Sequence, residues 1–163
     1  MSAPTQRLTP DDLLSAVKGV TAHETDLIAT LANISALVFE ALPDLNWAGF
    51  YLLRHGELVL GPFQGRVACT RIPLGKGVCG KVAQSKTACI VPDVHAFPGH
   101  IACDGASASE MVLPVIFHGT LLGVLDLDSP LKNRFGAAEQ KLLEAVLDVV
   151  VQALSRGEVV LPL

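Results

Sequence analysis

The sequence lacks any apolar run that approaches the roughly 18 residues of a membrane span. Its first ten residues have no apolar core of the kind that a secretory signal peptide requires. A basic excess is also missing, since the formal net charge is −4 and the pI is near 5.7. Nucleic acids and anionic membranes attract basic surfaces. We therefore expect a cytoplasmic protein that binds neither nucleic acid nor membrane.

Charged residues are scarce at 17%, and half of the chain is apolar, which is typical of a compact globule. A chain of 163 residues predicts one domain. Folding at this length buries roughly 70% of the surface of the unfolded chain, so neither a disulfide nor a metal is needed for stability.

Helices are predicted at both ends of the chain. Thr9, followed by a proline and two acids, is typical of a helix start and predicts a helix to about Val17. Thr21 and Glu24 have the spacing of a capping box before a second helix, which Pro43 ends. Gly157 is placed to end a C-terminal helix. Apolar stripes at helical spacing support the two longer helices: Leu27, Leu31, Ile34 and Val38, then Leu143, Leu147, Val150 and Leu154.

Two apolar hairpins are predicted between the helices. Their strands cover 47–53 and 57–63, then 111–116 and 120–126. The connectors, residues 54–56 and 117–119, each suit a three-residue loop with glycine in the left-handed third position. Hairpins flanked by long helices predict an α+β fold, with a central antiparallel sheet and helices packed on one face.

Residues 65–109 are rich in glycine and proline, and we predict only a short helix (about 78–84) and a short strand (88–91) there. A long irregular stretch in a compact domain usually binds or catalyses. Gly75, Gly77 and Gly80 match the dinucleotide fingerprint, yet no long strand precedes them and no strand–helix–strand crossover surrounds them. We therefore predict a tight turn that leads into the short helix.

Cys69, Cys79 and Cys103 lie in this stretch among glycines, whereas buried structural cysteines usually sit singly in helices or strands. The pattern favours thiol redox chemistry, which needs an exposed thiolate and a second thiol within reach. A helix start would place Cys79 near unpaired amides that favour its thiolate. The alternative is that all are inert small hydrophobes, which we expect of Cys89 in its apolar run.

A metal site is not expected, because structural zinc uses cysteines two to four residues apart and these are 10, 10 and 14 apart. His100 and Cys103 form the single close pair. A zinc-stabilised interaction module stays as an alternative that metal analysis would decide. No cofactor is expected either.

Three acids and two aromatics complete the candidate site. Asp126 and Asp128 share one strand face, and with the three-residue loop Glu110 would lie opposite Asp126. A two-residue turn would instead send Glu110 to the other face. Clustered carboxylates hold at least one proton more tightly, so one could donate a proton and the others bind an ammonium. The alternative is an acidic strand end at the sheet rim.

Trp47 and Tyr51 also share a face of their strand, where they form either a pocket wall or plain core.

Seven motifs, in order between about residues 24 and 150, resemble the free methionine-(R)-sulfoxide reductases, a family built on a GAF domain. They are Asn46-Trp47-Ala48-Gly49-Phe50-Tyr51, Gly61-Pro62-Phe63-Gln64-Gly65, Gly77-Val78-Cys79-Gly80, Asp93-Val94-His95, Gly99-His100-Ile101-Ala102-Cys103-Asp104, Ser109-Glu110 and Gly123-Val124-Leu125-Asp126-Leu127-Asp128-Ser129.

The resemblance implies a single GAF domain over residues 1–163, with residues 1–20 as an N-terminal helical extension and a ligand pocket on the sheet face opposite the helices. It implies reduction of free methionine-(R)-sulfoxide through a cysteine sulfenic acid and a disulfide. Cys103 would attack the sulfoxide sulfur and Cys69 would resolve the sulfenic acid, with Cys79 as an auxiliary or alternative partner. Thioredoxin as reductant and a homodimer are also implied. A GAF small-molecule sensor without catalysis is the alternative.

The resemblance also assigns the binding groups. Glu110, Asp126 and Asp128 would bind the substrate ammonium and the sulfoxide oxygen, and the aromatic pair Trp47 and Tyr51 would line the methyl end. We assign the proton donation to Asp128. Asp104 should raise the pKa of the Cys103 thiol, and His100 and backbone amides are the groups that could offset it.

Overall fold

The computed structural model describes residues 6–101, 103 and 105–160. Within that part of the chain, four α-helices and one 3-10 turn accompany six strands that form a single sheet. In chain order the elements are α1 (Pro10–Thr21), α2 (Leu27–Ala41), β1 (Trp47–Arg54), β2 (Glu57–Gly65), β3 (Arg71–Pro73), α3 (Gly77–Ser85), β4 (Cys89–Val91), the 3-10 turn (Val94–Ala96), β5 (Ser109–Phe117), β6 (Thr120–Ser129) and α4 (Ala137–Ser155).

The sheet is antiparallel throughout, with the strand order β3-β2-β1-β6-β5-β4. The predicted hairpins are its four central strands, which confirms the α+β class. The two edge strands are short, three residues each. No helix in the described ranges is long and apolar enough to cross a membrane.

The two faces of the sheet bury separate apolar clusters. The first packs α1, α2 and α4 against the sheet and includes Leu13, Ile34, Phe50, Leu125 and Val146, all with 0% exposure. The opposite face carries a second cluster, to which α3 contributes. The three long helices therefore share one face as predicted, and the short helix α3 covers part of the other.

The helix ends confirm one predicted cap and correct another. The Asp12 carboxylate accepts hydrogen bonds from the Thr9 backbone amide (3.3 Å) and hydroxyl (2.7 Å). The capping box predicted at Thr21 is wrong: Thr21 is the last residue of α1, and its hydroxyl donates to the Val17 carbonyl. Asp26 caps α2 instead, and its carboxylate accepts from the Ala29 amide at 2.8 Å.

The loops of both hairpins are shorter than predicted. Arg54 pairs with Glu57 and Phe117 pairs with Thr120, which leaves two residues in each turn. Both residues of each turn have positive φ, 52° and 80° in the first and 49° and 76° in the second. This is the backbone of a type I′ turn, whose twist matches that of the strands it joins. Three-residue loops are therefore wrong at both sites.

A bulge in β6 adds a second one-residue shift to the register, after the one that the shorter loop causes. Ile116 pairs with Leu121, but the next residue back, Val115, pairs with Gly123, so one extra residue of β6 enters the ladder there. Beyond the bulge Glu110 lies opposite Asp128, rather than opposite Asp126 as predicted. Because a shift of two residues preserves the face, all three carboxyls still lie on one side of the sheet.

Candidate active site

A pocket opens on the sheet face opposite the long helices. It encloses about 530 Å³ when its open mouth is included. Strands β1, β5 and β6 supply its floor, the start of α3 supplies one wall, and the segments before Cys69 and Cys103 surround the mouth. The side chains that carry chemistry there are Trp47, Tyr51, Cys79, His100, Cys103, Glu110, Asp126 and Asp128.

Cys69 and Cys103 form a disulfide at this mouth, with their Cα atoms 5.5 Å apart. They are 34 residues apart in sequence, and the bond joins the loop after β2 to the loop before β5. Cys103 lines the pocket, whereas its partner sits in the rim. The structure therefore corresponds to an oxidised form of the protein.

The carboxyl groups of Glu110 and Asp126 are buried, each 6% exposed. Burial, reinforced by the negative charge of Asp128, raises the pKa of Glu110 to about 8. Burial and the neighbouring Glu110 hold the pKa of Asp126 well above its ordinary value. The Asp126 Oδ1 atom is buried and accepts no hydrogen bond from the residues that the structure describes. Burial therefore favours the protonated form of both carboxyls, and Asp126 Oδ1 is available as an acceptor for a ligand.

Cys79 is the third residue of α3, and its side chain lies at the pocket floor. Its Sγ is 3.9 Å from Glu110 Oε1. Burial and the charges of Asp126, Glu110 and Asp128 raise the thiol pKa well above its ordinary value. The predicted thiolate is therefore wrong: desolvation and nearby acids outweigh the helix N-terminus, and Cys79 keeps its proton.

His100 also enters the pocket, with Nε2 3.6 Å from Glu110 Oε2. Burial lowers the imidazole pKa, so His100 is neutral at neutral pH and supplies no cation to stabilise a Cys103 thiolate. Asp104, which we expected to raise the Cys103 pKa, lies outside the described residues.

Trp47 and Tyr51 belong to the buried core and also line the pocket, so both of the roles considered from the sequence apply. Their rings stack with centroids 5.8 Å apart, and Phe63 also stacks with Trp47, with centroids 5.3 Å apart. Both aromatic side chains also hold the loop that carries Cys69. The Tyr51 hydroxyl donates to the Cys69 carbonyl at 2.9 Å, and Trp47 Nε1 donates to the Arg66 carbonyl at 3.2 Å.

Comparisons with known proteins identify the family to which the chain belongs. The GAF domain family profile matches residues 26–154. The free methionine-R-sulfoxide reductase of Escherichia coli is 48% identical over 144 residues, covering 88% of this chain and 87% of that protein. This chain belongs to the free methionine-R-sulfoxide reductase family of GAF domain proteins.

Other members of the reductase family support the assignment. The free methionine-R-sulfoxide reductase of Saccharomyces cerevisiae is 42% identical, covering 86% of this chain and 82% of that protein. The structure of the reductase of Neisseria meningitidis in complex with its substrate has a TM-score of 0.88 and 38% identity. It covers 96% of this chain and 98% of the other.

The eight site residues expected from the family resemblance meet in one place. Seven of them line the pocket, and Cys69 is joined to it through its bond to Cys103. The contact of Phe63 with Trp47 was not predicted from the sequence. The bulge near Gly61 and Pro62 disturbs the alternation of β2, so the face to which Phe63 belongs was hidden.

Cys79, Glu110 and Asp126 each place one possible ligand atom within 4.8 Å of the others, a spacing that would suit a metal ion. Burial favours the neutral, protonated form of all three groups. A neutral cluster of this kind is organised to share protons with a polar ligand. The expectation that no metal and no cofactor are needed stays a prediction.

Proposed function

We propose that this protein reduces free methionine-(R)-sulfoxide to methionine by thiol chemistry. One observation carries the proposal: a disulfide between Cys69 and Cys103 lies at the mouth of a pocket whose floor holds two buried carboxyls, those of Glu110 and Asp126. Family members with this activity in their names are 42–48% identical over most of the chain.

The first step uses the reduced enzyme. The Cys103 thiolate attacks the sulfoxide sulfur, negative charge develops on the oxygen, and a carboxyl proton neutralises it. Burial raises the pKa values of Glu110 and Asp126 and favours their protonated forms, so we assign the proton donation to these two carboxyls in place of Asp128. Oxygen transfer leaves methionine and a Cys103 sulfenic acid.

The second step closes the disulfide. The Cys69 thiol attacks the sulfenic sulfur of Cys103, an S–S bond forms and water leaves. The Cα separation of 5.5 Å lies within the range that a disulfide spans without backbone movement. Cys79, buried and protonated at the pocket floor, then has no direct part in the exchange.

The acids explain the choice of a free amino acid. Asp128, with the open Oδ1 of Asp126, binds the α-ammonium, which a methionine within a peptide does not have. Trp47 and Tyr51 enclose the methyl end of the side chain, where aromatic faces favour sulfur and methyl groups.

Regeneration of the thiols needs two electrons, which we assign to thioredoxin. We further propose a cytoplasmic homodimer in which residues 1–163 form one GAF domain. Residues 1–20 extend that domain, and α1 packs Leu13 and Val17 into its main core.

A single-turnover experiment tests the reaction. Each epimer of methionine sulfoxide is added to prereduced protein without a reductant, and the methionine released is counted. Wild type and Cys89→Ser, the matched control, should release about one equivalent from the R epimer and form the disulfide. Cys103→Ser should release none.

Cys69→Ser should still release one equivalent, but it should stop as a sulfenic acid that dimedone traps. The proposal would be overturned if wild-type protein releases no methionine from either epimer, or if Cys103→Ser releases it normally.

A further inference from the structure

The rim of the disulfide carries a surface that the reaction at the pocket floor does not use. Val67 is 86% exposed, the largest exposure among the large hydrophobic residues in the described part of the chain. Ile101 is 36% exposed at the same mouth. Each lies two residues before a disulfide cysteine, so the two apolar side chains flank the S–S bond.

Basic side chains occur beside this rim, although the protein as a whole is acidic. Between Glu57 and Asp93 the chain has five basic residues and no acid, although the net charge is −4. Lys76 of that segment is exposed and lines the mouth, and Arg66 is exposed and precedes Val67 in the chain. We call Arg66, Val67, Lys76 and Ile101 the disulfide rim.

We propose that the disulfide rim is the docking surface for a protein dithiol whose contact surface is apolar with acidic groups at its edge. This inference rests on the proposed function, because it concerns the reductant of the same disulfide. A small exposed apolar patch next to a reactive bond suits a transient protein contact. Basic groups at its edge steer an acidic partner and accelerate its association.

The pocket geometry also assigns which sulfur the partner attacks. Cys103 is among the residues that line the pocket, whereas Cys69 is not. A partner thiolate forms a bond with Cys69 Sγ, the Cys69–Cys103 bond breaks, and Cys103 leaves as the thiolate that the next turnover needs. A second partner thiolate then attacks the mixed disulfide, Cys69 leaves and takes a proton, and the partner is oxidised to its disulfide.

The test compares two reductants in steady-state turnover of free methionine-(R)-sulfoxide. Thioredoxin has a protein surface to dock, and dithiothreitol has none. Arg66→Glu and Val67→Asp should raise the KM for thioredoxin at least fivefold, while turnover with dithiothreitol stays within twofold of wild type. Lys141→Glu and Val160→Asp are matched controls on exposed positions of the helix side, and they should leave both rates unchanged.

The outcomes separate this inference from the proposed function. If wild type turns over with neither reductant, the proposed function fails. If wild type turns over but the rim variants keep the wild-type KM for thioredoxin, the docking surface is wrong. It is also wrong if the rim variants turn over equally slowly with both reductants, because the rim residues then affect the chemistry in the pocket.

Two further readouts concern charge and the attacked sulfur. Between 50 and 300 mM salt the KM for thioredoxin should rise several-fold in wild type and much less in Arg66→Glu, because salt screens surface charges. A thioredoxin that lacks its resolving cysteine should be trapped on Cys69 when the mixed disulfide is mapped by mass spectrometry. A flat salt response would overturn the charge complementarity, and trapping on Cys103 would overturn the assigned attack.

Discussion

Glu110 lies directly opposite Asp128 on neighbouring strands of the sheet. Like charges in such a cross-strand pair repel, so one of the two carboxyls gains by keeping its proton. Burial, reinforced by the charge of Asp128, raises the pKa of Glu110 to about 8. The register of the two strands therefore contributes to the raised pKa of a carboxyl that donates a proton in the proposed reaction.

Glu110→Gln should change how stability depends on pH. Above pH 4.5 the unfolded chain loses the Glu110 proton, whereas the folded protein keeps it to about pH 8, so wild type loses stability as pH rises across this window. Glutamine stays neutral, and the variant should therefore be more stable than wild type by about 1–3 kcal/mol at pH 8.5 and similar at pH 4. Urea unfolding of both proteins, with the disulfide intact, measures the difference. The exposed Glu144→Gln is the control, and an equal pH response in all three proteins would contradict the prediction.

Tyr51→Phe should slow closure of the disulfide while the ring stays in the pocket wall. The variant loses the 2.9 Å hydrogen bond to the Cys69 carbonyl. We expect this bond to stabilise the position of the loop by about 0.5–1.5 kcal/mol. Burial raises the pKa of Tyr51, so its hydroxyl is a proton donor throughout the working range. Rapid-quench trapping with dimedone should show a sulfenic acid that persists roughly threefold to tenfold longer than in wild type. Unchanged trapping kinetics would mean that the bond does not position the loop.

Cys79→Ala should leave the Cys69–Cys103 disulfide as the product of oxidation. Because the Cys79 thiol is buried and protonated, it does not compete for the sulfenic acid. Loss of the buried sulfur should still reduce the free energy of unfolding by about 1–2 kcal/mol. Peptide mapping after one turnover, together with urea unfolding, checks both statements. The accumulation of a sulfenic acid on Cys103 would show that Cys79 takes part in resolution.

Gly80→Ala should destabilise the turn that leads into α3. A Cβ on Gly80 would overlap the backbone carbonyl oxygen of Pro73, and backbone atoms have little freedom to move aside. We expect a loss of about 2–4 kcal/mol. Gly19→Ala is the matched control: its Cβ would meet open space on helix α1, and it should stabilise by about 0.5–1 kcal/mol. Equal thermal unfolding temperatures in the two variants would contradict the steric argument.

The sequence predicted the elements of the fold well, because periodicity reports which face of an element is buried. The stripe from Leu143 to Leu154 is buried in α4, and the four central strands appear where alternation placed them. The ends of elements depend on weaker local signals. Both Thr21 and Asp26 are good N-caps, and the sequence alone does not separate them.

The register of β5 and β6 could not be predicted from the sequence. Two errors, in the loop length and in the missing bulge, offset each other, so Glu110 reached the predicted face by a different route. No local pattern near Val115 signals an extra residue on the opposite strand. Similarly, residue spacing did not favour Cys69 over Cys79 as the partner of Cys103, and that pairing followed from the family resemblance. The buried setting of Cys79 depends on acids 31 and 47 residues further along the chain.

Trp47 and Tyr51 hold the Cys69 loop by hydrogen bonds to main-chain oxygens. Trp47 donates to the carbonyl of Arg66, and Tyr51 donates to the carbonyl of Cys69. Main-chain oxygens are present whatever the side chain, so the identities of residues 66 and 67 can change while the loop keeps its attachment. Exchange of these two surface side chains therefore alters what the loop presents to other proteins, while the interior of the pocket stays as it is.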